Sequence, residues 1–116
     1  MRFEDLEVWK RSAKLSAEIY RVLNDLKDYG FRDQITRSSL SISSNIAEGF
    51  ERASQKECLI FLSYAKGSCG ELQSQTYVGM EIGYIGRDAG MTWIRETDEI
   101  SSNLIPQTSW MFDAQR

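Results

Sequence analysis

The sequence predicts an all-α protein, an antiparallel up-down-up-down four-helix bundle, and three observations lead there. Apolar residues recur at three- and four-residue spacing along four successive stretches. The breaks between them are a few residues of Asp, Gly and Ser, and short links place sequential helices side by side. No stretch shows a convincing period-two alternation of a strand, and the single proline, Pro106, lies close to the C-terminus. The expected helices cover residues of about 3–27, 31–51, 54–85 and 88–112, within one domain spanning 1–116.

The first helix carries Leu6, Trp9, Ala13, Tyr20 and Leu23 on one stripe, with Val8, Leu15, Ile19, Val22 and Leu26 beside it. Asp5 and Glu7 fall near its beginning and Lys27 near its end, the polarity that the helix dipole favours. Asp28-Tyr29-Gly30 supplies the break. The second helix is the most informative part of the chain. At about 100° per residue, Phe31, Ile35, Ser39, Ile42 and Ile46 form a core stripe, while Leu40, Ser43 and Ala47 form a second one around the side. A helix with two such stripes needs two sets of neighbours. A third stripe, Gln34, Ser38, Ser41, Asn45 and Arg52, offers hydrogen-bonding groups, which suits an interhelical polar network or a subunit contact. Asp33 with Arg37 and Glu48 with Arg52 stand at i,i+4 spacing as solvated pairs.

The third helix opens on Ser54-Gln55-Lys56-Glu57, a capping-box pattern, and carries Cys58, Phe61, Leu62, Ala65, Ser68, Cys69, Leu72, Thr76 and Gly79 toward about Ile85. Gly67 and Gly70 each cost up to about 1 kcal/mol inside a helix, which predicts close backbone approach by another helix. After the Gly83-Tyr84-Ile85-Gly86 break, Asp88 is the expected cap of a fourth helix bearing Met91, Ile94, Ile100 and Leu104. Pro106 is expected to kink or end that helix. Trp110, Met111 and Phe112 are too apolar for a free tail and are expected to pack back on the bundle or meet a neighbouring subunit.

Composition narrows the function classes. The chain has 116 residues, 41% hydrophobic and 27% charged, which describes a helix-rich globular protein able to bury roughly two thirds of its unfolded surface. No apolar run approaches the roughly 18 residues of a membrane span, and the acidic N-terminus does not suit a signal peptide, so a cytoplasmic protein without membrane contact is expected. Cys58 and Cys69 stand eleven residues apart on one helix, some 16 Å along its axis, too far for a disulfide. They read as small buried hydrophobes. There is no histidine, which removes Ser-His-Asp and Cys-His catalysis and the commonest transition-metal sites. Charge is unevenly placed. Residues 1–56 carry 10 Lys and Arg against 9 Asp and Glu, whereas residues 57–116 carry 4 against 8, so a polyanion surface belongs in the first half.

The motifs are individually weak. Ser63-Tyr64-Ala65-Lys66 matches the S-x-x-K string of serine acyltransferases without its companion motifs, and the two G-x-x-G strings lack an αβ context. Glu48, Glu57, Glu71 and Glu81 lack the Glu-x-x-His pairs that di-iron bundles require. No catalytic residue, metal or cofactor is expected. Lys10, Arg11, Lys14 and Arg21 on the first helix, with Arg32, Arg37 and Arg52 around the second, form a candidate phosphate-contacting band. Interleaved acidic residues make an ordinary solvated surface its competing reading.

Taken in order, Phe3-Glu4-Asp5-Leu6-Glu7-Val8-Trp9, Gln34-Ile35 with Arg37, Ser41-Ile42, Asn45-Ile46-Ala47-Glu48-Gly49, Ala65-Lys66-Gly67-Ser68 and Glu71-Leu72 resemble the bacterial four-helix-bundle family of proteins encoded in intervening sequences of 23S rRNA genes. The resemblance covers about residues 3–85. It implies an antiparallel four-helix bundle that assembles into a ring-like homopentamer. A related protein in that family, the accessory variability determinant of diversity-generating retroelements, is basic and binds nucleic acid and a reverse transcriptase, whereas this chain is acidic overall. The expectation is a non-enzymatic oligomeric scaffold that meets RNA or a nucleic-acid-associated protein. Gln34, Ser38, Leu40, Ser41, Asn45 and Ala47 are its candidate subunit interface. The alternative is a protein–protein adaptor with no nucleic-acid binding, using the acidic second half around Glu96, Asp98 and Glu99.

Overall fold

A computed structural model describes the secondary structure of residues 2–114 and the side chains of residues 2–104. Those residues form four α-helices and no strand: α1 (Glu7–Val22), α2 (Tyr29–Phe50), α3 (Gln55–Glu81) and α4 (Arg87–Ala114), preceded by a 3-10 turn at Phe3–Asp5. α1 touches α2 and α4, α2 touches α3, and α3 touches α4, and among the described residues the backbones do not approach closely across either diagonal. This is the square cross-section of a four-helix bundle. No helix among the described residues is long and apolar enough to cross a membrane.

The first helix is shorter than its apolar pattern suggests. Leu6 takes an extended conformation (φ −77°, ψ 129°), which lays Phe3 edge-on against Trp9 with ring centroids 5.2 Å apart. At the other end Leu23, 3% exposed, anchors the last turn in the core. Asn24 and Asp25, which compete with the backbone for hydrogen bonds, follow outside the helix. The buried stripe also differs from the expected one: Val8, Ser12, Leu15, Ser16 and Ile19 face inward, while Tyr20 and Val22 are about half exposed. Two serines occupy places where larger residues would hold α2 away.

α2 starts two residues earlier than expected because Asp28 is its cap, accepting from the Phe31 N–H at 3.1 Å. Its core stripe is as read from the sequence. Ile35, Ser39, Ile42 and Ile46 are buried to 1% exposure or less, with Phe31 packed at the margin. Each fully buried isoleucine contributes about 1.5–3 kcal/mol. Of the second stripe, Ser43 is buried but Leu40 is 47% exposed. The Asp33–Arg37 pair does not form; Asp33 lies 3.6 Å from Arg32 instead.

α3 begins at the predicted cap, Ser54 Oγ accepting from the Glu57 N–H at 3.1 Å. The Glu57 carboxylate turns to that same hydroxyl at 3.4 Å instead of making the reciprocal backbone bond of a capping box. The helix stops at Glu81, four residues short of the expected end. Gly83 adopts φ +85°, which lets the Tyr84 and Ile85 amides both return to the Gly79 carbonyl at 2.9 and 3.1 Å, closing the end as left-handed glycines do. Asp88 lies in the first turn of α4, where its charge suits the dipole, and not at the cap position. α4 runs past Pro106, so the helix does not end at the proline. The side chains of Trp110, Met111 and Phe112 lie outside the described residues.

The expected close approach at Gly67 and Gly70 is not made among the described residues: a Cβ at either would meet nothing of them within 4 Å. Tight contacts lie instead at Gly79, against Ile85 and Phe31, at Gly90, against Met80, and at Gly49, where a Cβ would sit 3.2 Å from both the Cys58 carbonyl oxygen and Phe61 Cβ. Gly49→Val is expected to lower stability by about 1–3 kcal/mol through overpacking, read as a lower urea midpoint with an unchanged slope. Gly83→Ala is expected to cost about 1 kcal/mol, because alanine is strained at positive φ.

Candidate functional site

Two side-chain constellations join helices across the bundle, and a third surface is left free. The first is built on α2. Ser38 Oγ lies 2.9 Å from the Gln34 carbonyl and 2.8 Å from Glu71 Oε1 of α3. Ser41 Oγ meets Ser68 Oγ of α3 at 3.0 Å. Asn45 Nδ2 donates to the Ser41 carbonyl at 2.8 Å and lies 3.0 Å from the Ser41 hydroxyl. On the opposite flank Ser16 and Ser39 hydroxyls join α1 to α2 at 3.0 Å. Small residues let three helices pack closely, and hydroxyl bonds answer the polar atoms that this buries.

Beside this ladder runs a groove of about 390 Å³ lined by Gln34, Arg37, Ser38, Ser41, Glu71 and Gln75. Gln75 Oε1 is buried there without a donor, an acceptor whose bare burial costs about 1–3 kcal/mol. Of the six candidate interface residues, Ser38 and Ser41 are thus engaged with α3, Asn45 bonds back to Ser41 of its own helix, Ala47 is half-buried, and Gln34 and Leu40 remain exposed.

The second constellation joins α1 to α4. Arg11 donates through Nε and Nη2 to Glu96 at 2.9 and 2.6 Å, and also to Glu99. Bidentate guanidinium–carboxylate bonding of this kind is strong and directional. Arg11 therefore holds the Glu96 carboxyl below its usual range, chiefly through the hydrogen bond and against partial desolvation. Nearby, Trp93 donates from its indole to Glu18 at 2.8 Å, and Gln73 donates to Asp98 at 2.7 Å. Glu96, Asp98 and Glu99, the acidic patch expected to meet a protein partner, are all engaged inside the chain.

The candidate phosphate band divides in the same way. Arg11 is tied to Glu96 and Glu99, and Arg52 to Glu48 with its guanidinium 4.6 Å above Phe61. Arg32 lies 4.8 Å over Tyr29 and 3.6 Å from Asp33, and Lys10 lies 3.6 Å from Glu7. Lys10, Lys14 and Arg21 share one exposed face of α1 at i, i+4 and i+11, while Arg37 stands apart on α2. The seven residues do not converge into one band; three of them form a stripe.

Chemical reactivity is low elsewhere. Cys58 and Cys69 are buried, and burial pushes both thiols up, Cys69 to about 12, so neither presents a thiolate for attack or metal binding. Ser63 of the S-x-x-K string donates back to the Leu59 carbonyl at 3.0 Å. No group of three His, Cys, Asp or Glu among the described residues is placed to hold a metal ion. Ser68, Glu71 and Gln75 were not legible as members of the α2 face, because their role depends on which helix lies opposite. The only signal was their i+3 and i+4 spacing on α3.

The Arg11 cluster makes stability acid-sensitive. A carboxyl lowered in the folded state stabilises it above the unfolded carboxyl range and ceases to do so as pH falls through the folded value. Wild type is therefore expected to lose stability as pH falls below about 4.5. Glu96→Gln should remove that component while lowering neutral-pH stability by roughly 1–2 kcal/mol, measured by urea unfolding across pH.

Comparison with known proteins places the chain among helical relatives. Residues 4–106 match the family described as 23S rRNA-intervening sequence protein. A solved structure from Bacteroides thetaiotaomicron VPI-5482, a protein of unknown function from the S23 ribosomal protein family, superposes with a TM-score of 0.81 at 26% identity, covering 87% of this chain and 97% of that one. No curated protein matches the sequence.

Proposed function

This chain belongs to the 23S rRNA-intervening sequence protein family, and from that premise we propose a non-enzymatic, cytoplasmic scaffold that assembles with itself. The assembly is a homopentamer built on the outer side of α2, using Leu40, Ala47 and Gln34. RNA or a ribonucleoprotein is the second partner, met by the stripe of Lys10, Lys14 and Arg21. Within the protomer the helices alternate up and down. Support for alternation comes from paired contacts in which a rise on one helix matches a descent on the next, as Ser38 with Glu71 and Ser41 with Ser68. Arg11 with Glu96 and Glu18 with Trp93 follow the same rule.

The observation that carries self-assembly is the state of α2. That helix packs on α1 and α3 and still leaves Leu40 47% exposed, beside a groove holding the unanswered Gln75 carbonyl. A surface that is partly apolar and holds an unanswered acceptor is suited to a protein neighbour. The RNA reading rests on a different feature, three cations on one turn-spaced line of α1 in a protein that is otherwise acidic. The adaptor alternative has less support, since Glu96 and Glu99 already bond Arg11 and Asp98 already bonds Gln73.

Sedimentation velocity between about 1 and 100 μM is expected to give one species near five times the 13.3 kDa protomer; a single protomer throughout would contradict the assembly. For RNA, three phosphate contacts per protomer predict that log K falls with log salt at a slope of about −2 for a single strand. Lys14→Glu with Arg21→Glu should weaken binding and cut that slope to about −0.7 or less, and absence of RNA retention at low salt by wild type would contradict the RNA component.

A further inference from the structure

α3 is apolar on both of its sides. Inward it buries Cys58, Leu62, Ala65, Cys69 and Leu72; outward, Ile60, Tyr64, Val78 and Ile82 stand 42–56% exposed. At helical spacing these outward residues fall on one line with Gly67, Glu71 and Ser74. We infer that this outer stripe of α3 is the counter-surface for self-assembly, docking on the α2 face of a second copy around Leu40, Ser44 and Ala47. The inference rests on the self-assembling reading above and assigns the half of the contact that reading leaves open.

Four observations favour a second copy as the occupant. A line of half-exposed isoleucine, valine and tyrosine some 30 Å long, with the glycines and serines between, offers on the order of 800 Å² per partner, the amount a stable interface needs. Its one charge, Glu71, is already bonded to Ser38 of α2, so the stripe does not suit a polyanion. Gly67 lowers helix stability and has open space outside it, which a helix approaching from another copy would fill.

Complementarity is the fourth. The groove between the two faces holds Arg37, Glu71 and Gln75 together; Arg37 makes no ion pair among the described residues and Gln75 Oε1 has no donor there, which leaves both for polar partners on a second copy. Joining two different faces makes the contact head-to-tail, and such contacts close into rings when the rotation permits. In a square bundle neighbouring helices present outer faces about 90° apart, near the roughly 108° that separates the two neighbours of a subunit in a five-membered ring.

Mixing two face variants tests this. Leu40→Glu blocks only the α2 face and Val78→Glu only the α3 face; both positions are about half exposed, so each variant should keep the wild-type helical circular dichroism and melting profile. By sedimentation velocity at 50 μM, wild type is expected to assemble and each variant to sediment as a protomer. An equimolar mixture of the two should give a heterodimer, because one intact α2 face meets one intact α3 face. Wild-type assembly by either variant alone, or a mixture that stays monomeric, would overturn the pairing of α3 with α2. A wild type that is itself monomeric would overturn the self-assembling reading instead.

Discussion

The close packing of α2 between α1 and α3 is the constraint on which the rest of the molecule depends. Its isoleucines, Ile35, Ile42 and Ile46, supply the central core, all at 0% exposure. On the flanks the helix presents Ser38, Ser39, Ser41, Ser43 and Gly49, residues that add little volume beyond the backbone. Two neighbouring helices can therefore approach at once. Their hydroxyls would be a burden in such a contact if left bare, and the structure answers them with Ser16, Ser68 and Glu71 across the helix boundaries. The serine-rich composition of this segment is thus a packing device with a polar register built into it, since a slip of one turn would break the cross-helix pairs of Ser38, Ser39 and Ser41.

Electrostatics then sort the surface. Arg11, Glu96 and Glu99 tie the first helix to the last, and Gln73 ties the third to it through Asp98. Three carboxylates of the acidic second half, Glu96, Asp98 and Glu99, are held at the bundle surface by these bonds. What remains outside is complementary in kind: a line of cations on α1, an apolar and small-residue line on α3, and a lightly apolar face on α2 beside an unfilled groove. The proposed polyanion contact uses the first and the proposed self-contact the other two, which keeps the two proposed partners on separate surfaces.

Much of the fold was legible in the sequence, because caps and periodicity are local. The Ser54 cap, the isoleucine stripe and the break at Gly83 follow from residues within a few positions of one another. Features that depend on a distant neighbour were not legible. Helical spacing gave Tyr20 and Val22 a place inside, but the small residues Ser12 and Ser16 set the direction from which α2 approaches, and that direction leaves both outside. Gly67 and Gly70 predict close approach by another helix, and among the described residues the space beside them is open. The pairing of Arg11 with Glu96, 85 residues away, turned a candidate phosphate contact into an internal tie, and no local pattern announces such a pair.

The central claim is that the outer faces of α2 and α3 are covered by other copies of the chain. Hydroxyl-radical footprinting of the wild-type protein above and below its assembly concentration measures that coverage directly. The account predicts that Leu40, Tyr64 and Val78 are several-fold protected in the assembled protein and labelled freely on dilution, while Val22 on α1 is labelled equally at both concentrations. Labelling of Leu40, Tyr64 and Val78 that does not change with assembly would contradict it.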